Sequence, residues 1–155
     1  MKSNLVAVYG GHDGNVTFYN GERGTYHIIE LERLVKKRYF RLHFENDYDT
    51  IRDILIQCKD IASKHWGIDH YDAILLGSDD RVWKIDGSGW INPQQLLVDV
   101  FNCNQIGTLI SHHYCHACNV FYQSPFEESL VISYDGGGDD GFFKVYHATR
   151  DEVKL

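Results

Sequence analysis

The sequence has no hydrophobic run that approaches the roughly 18 to 20 residues a membrane-spanning helix needs. Its first residues, Met1 to Asn4, also do not lead into the long apolar stretch that forms the centre of a signal peptide. Both absences argue against a membrane protein and against a secreted one. We therefore predict a cytoplasmic protein that has no membrane partner.

Positive charge is scarce as well. The chain has 15 Lys and Arg against 22 Asp and Glu, which gives a formal net charge of −7, and its pI is near 5.6. Proteins whose main partner is nucleic acid normally present a basic face, so nucleic acid is not an expected partner. The one basic cluster, residues 33–41, is short. We interpret it as a solvated helix face, with a phosphate contact as the alternative.

Cysteine is too sparse for a disulfide scaffold, because a chain of 155 residues contains only four. Cys115 and Cys118 match the C-x-x-C pattern, but a zinc knuckle needs a second pair that is absent here. We predict reduced thiols, with Cys115 and Cys118 as small buried residues on a helix.

Apolar residues, in contrast, are plentiful. They make up 43% of the chain, enough for a folded core and unlike a disordered tail. Their spacing predicts strands over residues 5–9, 16–19, 25–31, 71–77 and 106–110 and a hairpin of 130–134 with 142–146. It predicts helices that begin at Thr50, Asn92 and Ser111. The first of these has a Thr50/Asp53 capping box and ends at Gly67. Residues 32–42 are predicted to form an uneven helix, or a helix and a loop.

This order of elements predicts an α/β fold of the ribonuclease H-like, actin-like ATPase class. Three antiparallel strands come first, and helices then alternate with strands that pair in parallel, giving a mixed sheet with flanking helices. The last hairpin does not fit inside that unit. We therefore predict a first lobe over residues 1–128 and the start of an incomplete second lobe over 129–155.

A histidine cluster is the most informative motif. On a helix His112 and His116 lie one turn apart on the same face, where two imidazoles can bind one ion. Asp135 follows at the end of a Val/Ile-rich strand and can add a carboxylate. Two histidines and one acid suit a divalent first-row metal and are a known Fe(II) arrangement with free positions; Mn and Zn are the alternatives. His113 lies between the two and has no assigned role.

Two glycine-rich turns carry acids. Asp135 is followed by Gly136, Gly137 and Gly138, whose amides can receive phosphate oxygens. A second such turn covers residues 10–15. Each alone is also consistent with a simple hairpin loop. In an actin-like cleft one such hairpin lies on each wall, which favours nucleotide binding.

With these motifs, the chain resembles the N-terminal part of the O-carbamoyltransferases of the nodulation and antibiotic-tailoring type. The resemblance extends over nearly the whole chain in order and approximate spacing. It rests on residues 11–16 (GHDGNV), 29–34 (IELERL), 112–117 (HHYCHA), 121–126 (FYQSPF) and 135–138 (DGGG).

The resemblance implies a two-lobed unit that binds a metal and a carbamoyl adenylate, made from carbamoyl phosphate and ATP by a separate domain. It implies transfer of the carbamoyl group to a hydroxyl of a small-molecule acceptor. His112, His116 and Asp135 would be the metal ligands, with a further aspartate from the second lobe. Gly136 to Gly138 would face the nucleotide, and His12 and Asp13 the carbamoyl or acceptor side. We expect the chain to need the remainder of a longer protein for catalysis.

Three other functions remain open. The tRNA threonylcarbamoyl-transfer family shares the fold and a His-x-x-x-His pair, although the acidic charge and the Ser-Pro-Phe segment disfavour it. An actin-like nucleotide-binding module would need only Mg²⁺ held through phosphates. A metal-binding or scaffold domain would bind metal without any effect of nucleotide.

Overall fold

The computed structural model describes residues 3–11, 13–42, 46–77, 83–85, 89–107, 111–138 and 141–155. The chain divides into two compact units, Met1–Leu109 and Ile110–Leu155. No helix in these described ranges is long and apolar enough to cross a membrane.

The first unit is built on a mixed four-stranded sheet in the order β3-β2-β1-β4. The first three strands pair antiparallel and β4 pairs parallel to β1, as the sequence predicts for the opening of the domain. Alternate residues of each strand face the core, because successive side chains point to opposite faces. The strands are β1 (Leu5–Tyr9), β2 (Asn15–Asn20), β3 (Thr25–Glu30) and β4 (Ala73–Leu76).

Helix α1 (Leu31–Val35) accounts for only the first part of the uneven segment. It ends at Lys36, which adopts a left-handed conformation with φ 57°. The chain then continues in turns that bury Phe40 and Leu42. The segment is therefore a short helix followed by a loop, the second of the two predicted forms.

Helix α2 (Tyr48–Ile61) is the principal amphipathic helix of this unit. Its buried face contains Ile51, Leu55 and Cys58, as predicted. The predicted Thr50/Asp53 capping box is wrong: Asp47 is the N-cap, and its Oδ1 accepts a hydrogen bond from the Thr50 amide at 2.7 Å. The last turn widens into a π-helix over Ala62–Trp66 and ends at Gly67, as predicted.

Helix α3 (Pro93–Phe101) begins as predicted, with the Asn92 side chain accepting from the Gln94 amide and Pro93 in the first turn. Ile106 forms a parallel bridge with Ile74 and Gly107 follows it outside any strand. Residues 108–110 of the predicted strand lie outside the described residues. Two short paired strands, β5 (Trp83–Ile85) and β6 (Gly89–Ile91), were not predicted.

The second unit packs one helix, α4 (His112–Gln123), against an antiparallel sheet. Its strands are β7 (Glu128–Gly138), β8 (Gly141–Thr149) and β9 (Val153–Lys154), in that order. The predicted closing hairpin is confirmed. Helix α4 groups with this hairpin, whereas the predicted lobe boundary follows residue 128. That boundary concerns the lobes of a longer protein and stays a prediction.

A small core joins α4 to the sheet. Alternate residues of β7 face the helix, so Val131 and Ser133 are buried whereas Ile132 and Tyr134 are exposed. The cluster consists of Ala117, Phe121, Val131, Tyr146, Ala148 and Val153. Asp135 follows Ser133 by two residues, and its carboxylate lies beside the first turn of the helix, 2.7 Å from His112 Nε2.

Candidate metal centre

Helix α4 begins where the histidine motif begins. Ser111 is the N-cap: its Oγ accepts from the Tyr114 amide at 3.3 Å, one of the amides that the first turn of a helix leaves without a partner. The cap makes His112 the first helical residue and places His116 one turn later. The two imidazole rings lie with their centroids 4.5 Å apart, nearly perpendicular to one another at 83°.

Asp135 reaches the histidines from β7. Regular pairing with β8 is interrupted between Tyr134 and Gly138, where β7 has an irregularity of the β-bulge type. Bulges occur next to functional sites because they redirect a side chain. Within this irregular stretch, Asp135 Oδ2 lies 2.7 Å from His112 Nε2 and 3.4 Å from His116 Nε2.

The three donor atoms converge on one point. His112 Nε2 and His116 Nε2 are 3.1 Å apart, and the ligand atoms of all three residues lie within 4.8 Å of one another. Two ligands at about 2.1 Å from a metal are separated by about 3.0 Å at a right angle and about 3.4 Å at a tetrahedral angle. The separations of 3.1 and 3.4 Å fall in this range, whereas the 2.7 Å between His112 Nε2 and Asp135 Oδ2 is a hydrogen-bond distance. The three residues could therefore hold a metal ion if this last pair moved slightly apart.

The charge of Asp135 also suits a cation. A hydrogen bond from His112, followed by one from the Gly136 amide to Oδ1, lowers the pKa of Asp135 to about 2. The carboxylate therefore stays ionised at neutral pH. Because a carboxylate only accepts hydrogen bonds, His112 donates through Nε2 in the metal-free chain. A bound ion would take the place of that ring proton.

The site is partly open to solvent. His112 is 22% exposed, whereas the side chains of His116 and Asp135 are 53% and 41% exposed. Structural metal sites are closed by four protein ligands, but catalytic sites keep positions for water or substrate. Three protein ligands would leave positions on a bound ion open to water or another ligand, as in the 2-His-1-carboxylate arrangement expected from the sequence.

His113 has a different environment from its two neighbours. It is fully buried, with Nδ1 2.7 Å from Ser133 Oγ and Nε2 2.8 Å from the Gly141 carbonyl oxygen. Sequence reasoning gave this residue no role. The only signal was its position beside a predicted metal ligand, since a helix turns successive residues to different faces.

The structure describes the predicted nucleotide-binding and acceptor-side residues only in part. Gly136 is exposed, and a Cβ atom built on it would meet no atom within 4 Å. Gly137 and Gly138 are described only as part of β7. His12 lies outside the described residues. The prediction that these glycines face a nucleotide stays a prediction.

Asp13 belongs to the Met1–Leu109 unit, whereas the three candidate metal ligands belong to Ile110–Leu155. It adopts a left-handed conformation with φ 57° and lines a cavity of about 450 Å³. Asn15, Glu30 and Arg33 also line this cavity, and Arg33 forms an ion pair with Glu30. The cavity thus joins two segments of the resemblance, residues 11–16 and 29–34.

The prediction that Cys115 and Cys118 are buried is wrong. Both lie on α4, but Cys115 is exposed and Cys118 is half-buried, because the helix turns its buried face, with Ala117 and Phe121, toward the sheet. Cys118 and Tyr114 share a hydrogen bond that raises the pKa of Tyr114, whereas desolvation raises the pKa of Cys118. The raised pKa of Cys118 does not favour a reactive thiolate, which needs a lowered pKa.

No protein-family model matches this chain, and no curated protein matches it.

Proposed function

We propose that this chain forms the metal-binding part of an O-carbamoyltransferase. The observation that carries the proposal is the convergence of His112, His116 and Asp135 on one point, with separations of 2.7, 3.1 and 3.4 Å between their donor atoms. The sequence motifs around this site resemble those of the family. The sheet order β3-β2-β1-β4, with an antiparallel meander and then a parallel strand, supports a ribonuclease H-like first lobe.

The proposed ligand set leaves positive charge at the site. Two neutral imidazoles and one carboxylate balance only one of the two charges of a divalent ion. The remaining charge attracts an anionic ligand such as the phosphate of carbamoyl adenylate. When bound, a divalent metal supplies Lewis-acid polarisation of a carbonyl or phosphoryl oxygen. Fe(II) is the proposed metal, and Mn(II) and Zn(II) are the alternatives.

The glycine-rich turn would contact the nucleotide phosphate. The Gly136 amide donates to Asp135 Oδ1 at 2.5 Å, so it orients the proposed ligand. The phosphate contacts would therefore fall on the following amides, those of Gly137 and Gly138. The open space around Gly136 allows a ligand to approach the backbone.

Asp13 is the proposed acceptor-side residue. Its carboxylate can take the proton of an acceptor hydroxyl as that oxygen attacks the carbamoyl carbon, a general-base role. The cavity that Asp13 lines has room for part of a small-molecule acceptor. His12 is proposed to act on the same side. The resemblance also implies a further ligand from a second lobe, so we expect transfer only in a longer protein.

Metal binding is the first test. The chain is titrated with Fe(II), Mn(II), Zn(II) and Mg(II) in the absence of oxygen, alone and with ATP. Tight binding of a first-row metal, but not Mg(II), is expected, and it should be lost in His116→Ala. A matched control is His147→Ala, because His147 is an exposed histidine of the same unit that pairs with Glu128 at 2.7 Å.

Carbamoyl transfer is the second test, with carbamoyl phosphate, ATP and candidate acceptors. Turnover is expected from a longer protein that carries this sequence, and turnover by the 155-residue chain alone would contradict the need for a second lobe. Metal binding without any effect of nucleotide would instead indicate a simple metal-binding domain. Transfer of threonylcarbamoyl to tRNA would indicate the related family.

A further inference from the structure

We propose that His113 is a positioning residue for the metal centre: it holds the irregular part of β7 against α4, so that Asp135 reaches His112 and His116. This inference rests on the proposed metal site. His113 is fully buried and is not one of the three proposed metal ligands.

The hydrogen bonds of His113 define its tautomer. A carbonyl oxygen only accepts, so Nε2 carries the proton and donates to Gly141 at 2.8 Å. In the neutral ring Nδ1 then accepts from the Ser133 hydroxyl, with Nδ1 and Oγ 2.7 Å apart. Both ring nitrogens are satisfied, which is what a fully buried polar group requires. The ring thus links α4 to both strands of the hairpin.

The two hydrogen bonds of His113 reach residues on either side of the interrupted pairing between β7 and β8. The pairing of β7 with β8 is regular up to Tyr134 opposite Phe143 and resumes only at Gly138 opposite Gly141. Asp135 lies in between, where the strand pairing does not fix its direction. Ser133 precedes this interruption and Gly141 lies beyond it on the other strand. His113 therefore spans the interruption and substitutes for the missing pairing.

His113 also lies close to the proposed metal ligands themselves. His113 is adjacent to His112, and their rings are in contact at 5.4 Å between centroids. On β7, Ser133 contacts His113 and Asp135, two residues later, contacts His112. One buried contact thus lies directly behind the contact of His112 with Asp135. Groups that hydrogen-bond directly to a metal ligand typically change metal affinity by about 10- to 100-fold when they are removed. His113 acts one residue further from the ligands, so the lower end of that range is expected.

Three variants of the full chain separate the two bonds. His113→Phe keeps a ring but removes both bonds, His113→Gln keeps a donor for the Gly141 carbonyl, and Ser133→Ala removes only the partner of Nδ1. We expect His113→Phe to weaken Zn(II) affinity by about tenfold or more. Smaller losses are expected for Ser133→Ala and His113→Gln, so that the glutamine variant partly restores binding.

Two further measurements distinguish positioning from a general loss of stability. Phe121→Leu reduces packing in the same small core without touching either bond. It should lower the melting temperature and leave Zn(II) affinity within about twofold of the parent, because its effect is on packing. In the metal-free chain, hydrogen exchange across residues 131–136 should be about tenfold faster in His113→Phe, since buried hydrogen bonds are lost there.

Equal affinities of His113→Phe and the parent, or equal losses in His113→Phe and Phe121→Leu at the same stability, would overturn the proposal. If His113→Phe does not fold, Ser133→Ala gives the same decision. Failure of the parent chain to bind any metal would overturn the proposed function. The exchange measurement on metal-free protein would then still decide whether His113 holds this segment of β7.

Discussion

The two units differ in the size of their apolar cores and in the place of their buried polar side chains. In Met1–Leu109 the described core is a large apolar cluster, and its buried polar residues, Asn4 and Asn20, accept hydrogen bonds from the amides of the β2–β3 turn. In Ile110–Leu155 the apolar cluster has six described residues. The buried polar residues there, His113 and Ser133, bond to each other and join α4 to β7 next to the proposed metal ligands.

This difference indicates that the core of the first unit mainly stabilises the fold, whereas the buried polar groups of the second unit position the proposed metal ligands. A large apolar core stabilises a fold in proportion to the area it buries, without regard to direction. Hydrogen bonds are directional, so a small core with buried polar links can specify the position of particular atoms. The proposed metal centre lies in the unit with the smaller core. We therefore expect core substitutions in the first unit to change stability without changing Zn(II) affinity, and substitutions of the buried polar links in the second unit to change Zn(II) affinity.

The largest effect is expected in the core of the first unit. Phe18 is fully buried and contacts the rings of Trp66, Tyr71 and Phe101, with centroids 5.8, 5.9 and 6.2 Å away. Phe18→Ala should lower the free energy of unfolding by about 3 to 5 kcal/mol, because it removes apolar area and leaves a cavity. Urea denaturation followed by circular dichroism measures the change.

The neighbouring residue provides the control for this prediction. Tyr19 points to the opposite face of β2 and is partly exposed, so Tyr19→Ala should have a much smaller effect. Zn(II) affinity of folded Phe18→Ala should equal that of the parent. A large drop in affinity would show that the two units do not divide stability and binding in this way.

The second prediction concerns the centre itself. Asp135→Asn removes the charged ligand and should weaken Zn(II) binding by more than about 100-fold, a larger loss than the removal of a supporting group causes. Titration calorimetry with a competing chelator measures this affinity. Glu128→Gln is the matched control, because Glu128 is an exposed carboxylate on the same strand. Similar losses in both variants would show that the effect is one of overall charge.

The metal centre and the acid group within it should also respond differently to pH. Imidazole binds metal only when it is neutral, so affinity should fall as the pH is lowered from about 8 to about 5. The pKa of Asp135 is lowered to about 2, so this residue should release no proton on metal binding in that range. Calorimetry in buffers of different ionisation enthalpy should count at most two protons released. A third proton at the acidic end of this range, where metal-bound water stays protonated, would mean that Asp135 is protonated in the metal-free chain.

The same shift has a consequence for stability. A folded-state pKa below the ordinary value near 4 means that the ionised carboxylate stabilises the fold. That contribution is present above the ordinary value and is lost as the pH falls toward about 2. Asp135→Asn should therefore flatten the acid limb of the stability curve in this window.

Sequence patterns predicted the periodic parts of the molecule well. The stripe of Ile51, Leu55 and Cys58 and the stop at Gly67 follow from a period of 3.6 residues and from the left-handed conformation that glycine adopts. The strands β5 and β6 were missed because three residues are too few to show an alternation. The specific actin-like fold stays a prediction.

The site was predictable in its ligands but not in its support. His112 and His116 share a helix face by spacing alone, whereas the approach of Asp135 depends on how β7 packs against α4, which no local pattern reveals. The role of His113 depends on Ser133 and Gly141, which lie 20 and 28 residues away. The burial predicted for Cys115 and Cys118 failed because helix spacing does not say which face meets the sheet.

The smallest effect is expected at the start of α2, where the sequence pointed to the wrong cap. The Thr50 amide donates to Asp47 and is the main cause of the lowered pKa of the Asp47 carboxyl. Asp47→Ala should therefore lower the melting temperature by a few degrees, and Asp53→Ala by less, because Asp53 lies inside the helix. Asp47→Asn should restore most of the loss, since asparagine caps as well as aspartate.

Acid distinguishes the aspartate cap from its asparagine replacement. A lowered pKa means that the ionised Asp47 carboxylate is the stabilising form, so its contribution is lost as the pH falls below the ordinary carboxyl range. The parent and Asp47→Asn should therefore become more alike in stability at low pH. Thermal unfolding at several pH values measures this convergence. If Asp53→Ala lowered the melting temperature as much as Asp47→Ala does, the Thr50/Asp53 capping box predicted from the sequence would be supported instead.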